Sequence, residues 1–293
     1  MKRKEQIESM NPVALMARIP RGIGERLQYI ESRFDRGEYA FDEKIAVFDL
    51  DNTLLIGDIG DALFTQLKID ERERRAPLTV DHQKMALTWE GFKEILEREG
   101  KEVAYPLMTT AMAGIPATTI IDATRNALRS TAGFLEAEGE EIPVPVPNPA
   151  MQALVFYLRQ THYRVFIISA TNRYSVQVVA EECFGIPGSH VLAMQPAVFH
   201  HPVHGEVLTD TLVGPVTVGT GKVDAYRRAV GHTPPVIGGG DSPTDIPVLN
   251  LTDPHGLVIW VERNPHTFRI PDALIQQFSY PQNLYVLRQE TDV

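Results

Sequence analysis

One run of this chain constrains its fold more than any other: Ile45-Ala46-Val47-Phe48-Asp49-Leu50-Asp51-Asn52-Thr53-Leu54-Leu55. A short segment that is apolar at every position, not at alternate ones, reads as a strand covered on both faces. Such strands build parallel sheets, and ligands gather at their carboxyl ends. Asp49 and Asp51 stand at that end, two positions apart, so both side chains leave an extended chain in one direction. Carboxylates that close repel each other, and a bound cation or a shared proton relieves them. The pair alone also fits a polar turn or helix cap, which Asp, Asn and Thr all favour.

The surrounding sequence sets this strand in a larger frame. Residues 1–40 carry Ile23, Leu27, Ile30 and Phe34 at helical spacing, which predicts an N-terminal helical extension packed on the core. Amphipathic patterns predict helices over Asp58–Lys68, Gln83–Glu99, Glu102–Ala113 and Ala117–Glu138. The prolines alternating through residues 142–149 then fix an extended return linker. Beyond it, strands are expected over Arg164–Ser169, Val191–Met194, Pro235–Gly238 and Leu257–Val261, with helices between them and a β-hairpin over 195–219. Alternating strands and helices imply a parallel sheet with right-handed crossovers. The expected fold is α/β: a Rossmann-like three-layer core over 41–57 and 149–293. An all-α cap over 58–148 is inserted into it after the first strand.

A formal net charge of -10 argues against nucleic acid or an anionic membrane as partner. Cys183 is the sole cysteine, so neither a disulfide framework nor a cysteine-rich zinc site is expected. No stretch approaches the roughly 20 apolar residues of a membrane span, and no apolar run follows the basic Met1-Lys2-Arg3-Lys4. The expectation is a cytoplasmic chain, with a second copy of itself, as a homodimer, the one protein partner left open.

Polar groups recur at the other strand ends. Ser169-Ala170-Thr171-Asn172 offers hydroxyls and backbone N–H groups before a helix, a setting that suits a phosphate oxygen or an ordinary cap. Gly240-Asp241-Ser242-Pro243-Thr244-Asp245 places two acids four residues apart at a helix start, so they share a face. Lys222 opens another helix and supplies a counter-charge to these carboxylates. His200, His201 and His204 lie in a Pro-containing segment away from the acids and read as a solvated loop. Gly219-Thr220-Gly221-Lys222 lacks the first glycine and the final Ser or Thr of a phosphate-binding P-loop.

Taken in order, Phe48-Asp49-Leu50-Asp51-Asn52-Thr53-Leu54, the strand ending at Ser169, Lys222 and the Gly240–Asp245 segment resemble the four motifs of the haloacid dehalogenase superfamily of phosphohydrolases. The resemblance covers residues 45–261, and the insertion after the first motif looks like the helical cap of the phosphoserine phosphatase branch. It implies Asp49 as nucleophile, Asp51 as acid and base, and Mg²⁺ on Asp49, Asp241 and the Asp51 carbonyl. Ser169, Ala170, Thr53 and Lys222 are implied at the phosphate, with Asp245 and Thr244 supporting them. The substrate implied is a small phosphorylated metabolite. In the cap, Asp58 and Trp89 are the expected specificity residues for a phosphoserine-like substrate or, through charge and cation–π attraction, an amino-alcohol phosphate; packing in the cap core is the alternative for Trp89. Leu96 stands where that branch carries an arginine for the substrate carboxylate. A phosphotransferase with the same intermediate, or a binding protein on the same fold, are the alternatives.

Overall fold

The computed structural model describes residues 7–74, 78–263, 270–278 and 282–288. Its centre is a seven-stranded sheet in the order β11-β10-β9-β1-β6-β7-β8. In the sheet β1 is Ile45–Phe48, β6 Arg164–Asn172, β7 Val191–His201, β8 Gly205–Val213, β9 Ile237–Gly240, β10 Leu257–Glu262 and β11 Leu284–Arg288. All neighbours are parallel except β7 and β8, which form the expected hairpin. β1 lies between β6 and β9, with Phe48 level with Ile167 and Gly239, so the polar residues after all three strands meet at one end.

The alternation of β1 explains the layers. Ala46 and Phe48 pack with Leu27 and Ile30 of one helix, Arg21–Asp35, and with Leu154 and Leu158 of another, Pro149–Gln160. Ile45 and Val47 point the other way, onto Tyr226 of the helix Thr220–Val230 and onto Val248. Helices thus cover both faces of the sheet, and burial at every position of β1 follows from that. The helix over residues 21–35 is the predicted extension, docked on the core through Ile23, Leu27 and Ile30. Residues 1–6 of that extension lie outside the described residues.

The insertion leaves and re-enters the core through two short strands lying side by side. β2 (Leu55–Ile56) pairs antiparallel with β5 (Val146–Pro147), inside the proline-rich linker. Four helices follow β2: α1 (Ile59–Arg74), α2 (Trp89–Glu99), α3 (Lys101–Thr110) and α4 (Ala117–Arg129). The last ends nine residues before the predicted Glu138, because Gly133 and Gly139 adopt positive φ and residues 134–143 fold into a hairpin, β3 (Phe134–Ala137) with β4 (Glu140–Pro143). The helical cap therefore carries one β-hairpin that amphipathic periodicity did not reveal. Residues 83–88, read as the start of a helix, are irregular, and Thr88 caps α2 by accepting from the Gly91 N–H. The cap is also tied to the core hairpin. Leu208 of β8 packs in the cap's apolar cluster and exchanges backbone hydrogen bonds with Gly114 and Ile115. Among the described residues no helix is long and apolar enough to cross a membrane.

Candidate active site

The chain turns sharply where β1 ends. Asn52 sits at φ 61°, a left-handed conformation that asparagine tolerates, and its N–H donates to the Gly57 carbonyl. This turn presents Asp49 and Asp51 to a cavity between core and cap of ≈ 50 Å³, enough for about four waters. Across the sheet, β9 delivers the second acidic segment. A side chain at Gly240 would put its Cβ 2.6 Å from that of Asp245, so the glycine lets the Asp241–Asp245 turn fold back under the strand end.

Lys222 joins the two segments. Its Nζ donates to Asp49 Oδ1 and Asp245 Oδ1, each at 2.6 Å, from a position only 2% exposed. The two carboxylates hold the ammonium well above its ordinary pKa against the opposing effect of burial. Asp245 Oδ2 accepts from the backbone N–H groups of Asp241 and Ser242 and from the Ser242 hydroxyl. Burial opposes its charge, but Lys222 and these donors prevail and keep Asp245 below the usual carboxylate range. Asp245 is thus committed on both oxygens and acts as the anchor of Lys222.

Asp51 faces a different set of donors. Its Oδ2 accepts from Ser169 Oγ at 3.1 Å and Thr171 Oγ1 at 2.9 Å, and its Oδ1 from the Ile59 N–H at 2.8 Å. Burial and the nearby charge of Asp58 nevertheless push its pKa up to about 7. Burial likewise raises Asp49 well above its ordinary value despite Lys222, and raises Asp241 to about 6, with Asp245 adding to the effect. Asp49, Asp241 and Asp245 each bring one carboxylate oxygen within 4.8 Å of the others.

A family model described as haloacid dehalogenase-like hydrolase matches residues 46–250, a span that contains all of these groups. The chain belongs to the haloacid dehalogenase-like hydrolases. Two solved structures share the hydrolase's fold across most of both chains. One is a conserved functionally unknown protein from Anaerococcus prevotii DSM 20548, at 16% identity, covering 84% of this chain and 86% of that one with a TM-score of 0.56. The other is a protein with unknown function from Bordetella pertussis Tohama I, at 16% identity, 83% and 97% coverage and a TM-score of 0.56. A probable phosphoserine phosphatase from Vibrio cholerae matches at 13% identity over 82% of this chain and 59% of its own, with a TM-score of 0.50. Identities this low establish a common fold. No curated protein matches the sequence.

Of the residues singled out in the sequence, Asp49, Asp51, Asp58, Ala170, Lys222, Asp241 and Thr244 lie on the cavity wall. Other predicted residues stand elsewhere. Thr53, expected at the phosphate, is fully buried and its hydroxyl donates to Asp241 Oδ1 at 3.2 Å, so it positions that acid. Ser169, also expected there, turns its buried hydroxyl to Asp51, because that carboxylate needs donors once buried. Trp89 does not reach the cavity. At 3% exposure it packs edge-on against Phe64 and Phe92 and gives its indole N–H to Thr65, as a cap-core residue does.

Four ionisable residues of the cavity are not singled out by the sequence motifs: Asp61, Lys101, Tyr105 and Arg263. Asp61 lies three positions after Asp58 in the first turn of α1, and Lys101 and Tyr105 are four apart on α3. Both spacings put pairs on one helix face, a signal that was present but not tied to the site. Asp58 caps α1 through the Gly60 and Asp61 N–H groups, which fixes its place at the cap entrance. Arg263 follows β10 and pairs with Asp241 Oδ2, its Nε donating at 2.5 Å.

Proposed function

We propose that this hydrolase is a Mg²⁺-dependent phosphomonoesterase that works through an aspartyl phosphate on Asp49. The observation that carries the reading is the unequal setting of two carboxylates two residues apart. Asp49 holds an ammonium; Asp51 holds hydroxyl and amide donors and keeps a proton near neutrality. In the first step an Asp49 oxygen bonds to phosphorus as the ester P–O bond breaks, and Asp51 gives its proton to the departing oxygen. In the second, water attacks phosphorus, Asp51 takes its proton, and Asp49 is released. Lys222 faces the equatorial oxygens, where transition-state charge spreads.

The residues present fit a magnesium ion. They are hard oxygen donors, and the raised pKa values of Asp49 and Asp241 mark buried charge that a cation relieves. Asp49 and Asp241 would hold the ion with the Asp51 carbonyl; Asp245 is already committed to Lys222. When bound, the ion supplies positive charge that screens these carboxylates from the substrate's phosphate.

The cavity lies between core and cap, and the cap would open about the β2–β5 pair to admit a substrate. Asp58 and Asp61 on the cap wall favour a leaving group that carries an ammonium, with Tyr105 in the aromatic role expected of Trp89. The test is phosphate release with and without Mg²⁺ across phosphoserine, amino-alcohol phosphates, sugar phosphates and nucleotides, beside D49N. Metal-dependent release that D49N abolishes is expected. Turnover unaffected by D49N would sink the reading, and turnover only with an added acceptor alcohol would make the chain a phosphotransferase.

A further inference from the structure

Arg263 is a cation that the four-motif pattern leaves out, yet it sits on one of the acids central to that pattern. Asp241 is 2% exposed, and its two oxygens are divided: Oδ1 accepts from Thr53, while Oδ2 accepts from both Nε and Nη2 of Arg263. Both guanidinium donors converge on a single oxygen, so this is not the two-oxygen fork that locks an arginine to a carboxylate. The arginine side chain is also 38% exposed, against 3% for Lys222, and it lines the same cavity as Asp49, Asp51 and Lys222. Of these two cations Lys222 is therefore locked between two acids, while Arg263 has room to leave its partner.

A buried carboxylate without counter-charge is costly, which explains why Asp241 needs an arginine beside it. A dication at Asp49 and Asp241 supplies the same neutralisation and repels the guanidinium. We propose that Arg263 is an exchangeable counter-ion: it neutralises Asp241 until a dication binds, then yields Oδ2 and turns to the anionic oxygens of the substrate. The inference rests on the assignment of Asp49 and Asp241 as metal carboxylates made above. Arg263 is thereby a positioning residue for the metal acid in one state and a phosphate-contacting residue in the other. Its planar array of five donors suits phosphate oxygens, which a lysine meets only as a point charge.

The test measures two affinities by calorimetry at pH 8: Mg²⁺ alone, and inorganic phosphate at saturating Mg²⁺. Exchange moves them in opposite directions. R263Q is expected to bind Mg²⁺ about tenfold tighter, because the ion no longer displaces a bound cation, and phosphate about tenfold more weakly. R263K, which keeps the charge without the planar donors, is expected to fall between R263Q and the natural chain on both scales, and it serves if R263Q does not fold. A merely structural arginine would weaken both affinities in its absence. Equal or weaker Mg²⁺ binding by the variants, or unchanged phosphate binding, overturns the inference while leaving the phosphatase reading intact. A natural chain that binds no Mg²⁺ overturns both, and D49N in the turnover assay shows separately whether the phosphatase chemistry survives.

Discussion

Lys222 Nζ lies 2.6 Å from Asp49 Oδ1 in a position shut off from solvent, and its other carboxylate contact, Asp245, is equally close. The ammonium bridges the first and last acidic segments of the site, with one side-chain bond to each. Its removal leaves two buried carboxylates uncompensated. K222M is expected to lose about 3–5 kcal/mol of stability, the cost of breaking a buried pair from one side. Its turnover should fall at least 10²-fold, as on loss of a preorganised electrostatic donor. Urea denaturation and phosphate release measure the two losses. D245N, which frees Lys222 on one side only, should cost less on both.

Asp51 sets the alkaline limit of activity. With a pKa pushed up to about 7 by burial and the charge of Asp58, it is protonated below neutrality and loses its proton above it. As the acid for the leaving group it must carry that proton, so kcat/KM in the free enzyme should decline as pH rises through about 7. The Thr171 hydroxyl stabilises the carboxylate form at 2.9 Å. T171V removes that donor and is expected to move the alkaline limb upward in pH. A pH–rate profile with an unmoved limb in T171V would assign the limb to another group.

The same raised values make the metal-free protein pH-sensitive in stability. Asp51 at about 7 and Asp241 at about 6 bind protons in the native state that the unfolded chain has already released. Stability therefore falls as pH rises from the ordinary carboxylate range through about 7. Asp245, held low by Lys222, acts in the opposite sense, but only as pH falls below that ordinary range. Thermal melting should give a lower Tm at pH 8 than at pH 5.5 without metal. Millimolar Mg²⁺ should recover much of the difference, because it binds only the native state.

The parallel sheet, the insertion and the strand-end acids of the site were legible because each rests on local signals. Apolar runs make strands, and strand ends in a parallel sheet gather ligands. The destinations of the neighbouring hydroxyls were not legible. Thr53 follows β1 as expected, and Ser169 lies in β6, which runs on to Asn172, but which acid each serves depends on burial of Asp241 and Asp51, a tertiary property. Arg263 was hidden for a related reason. Its only local mark is its place just after β10, and nothing in the sequence aligns it with Asp241, 22 residues earlier on the neighbouring strand's turn. Of the two cap residues expected at the substrate, Asp58 lines the cavity whereas Trp89 looks inward to Phe64, and Lys101 and Tyr105 of the next helix look to the cavity instead.

That last distinction yields a paired prediction. W89A removes a large buried ring and its bond to Thr65, so it should lower stability by about 3–5 kcal/mol while W89F, which keeps most of the packing, leaves KM within about twofold. Asp61 behaves in the reverse way. It lines the cavity beside Asp58, and burial together with the charges of Asp58 and Asp51 raises its pKa well above the ordinary value. Neutralising it relieves that repulsion, so D61N should not destabilise the fold. For a phosphomonoester whose leaving group carries an ammonium, D61N should raise KM about tenfold with little change in kcat, the signature of lost uniform binding. For a neutral sugar phosphate KM should stay the same or fall. Equal effects of D61N on both substrate types would remove the cationic leaving group from the account and leave Asp61 as a cap-closing residue.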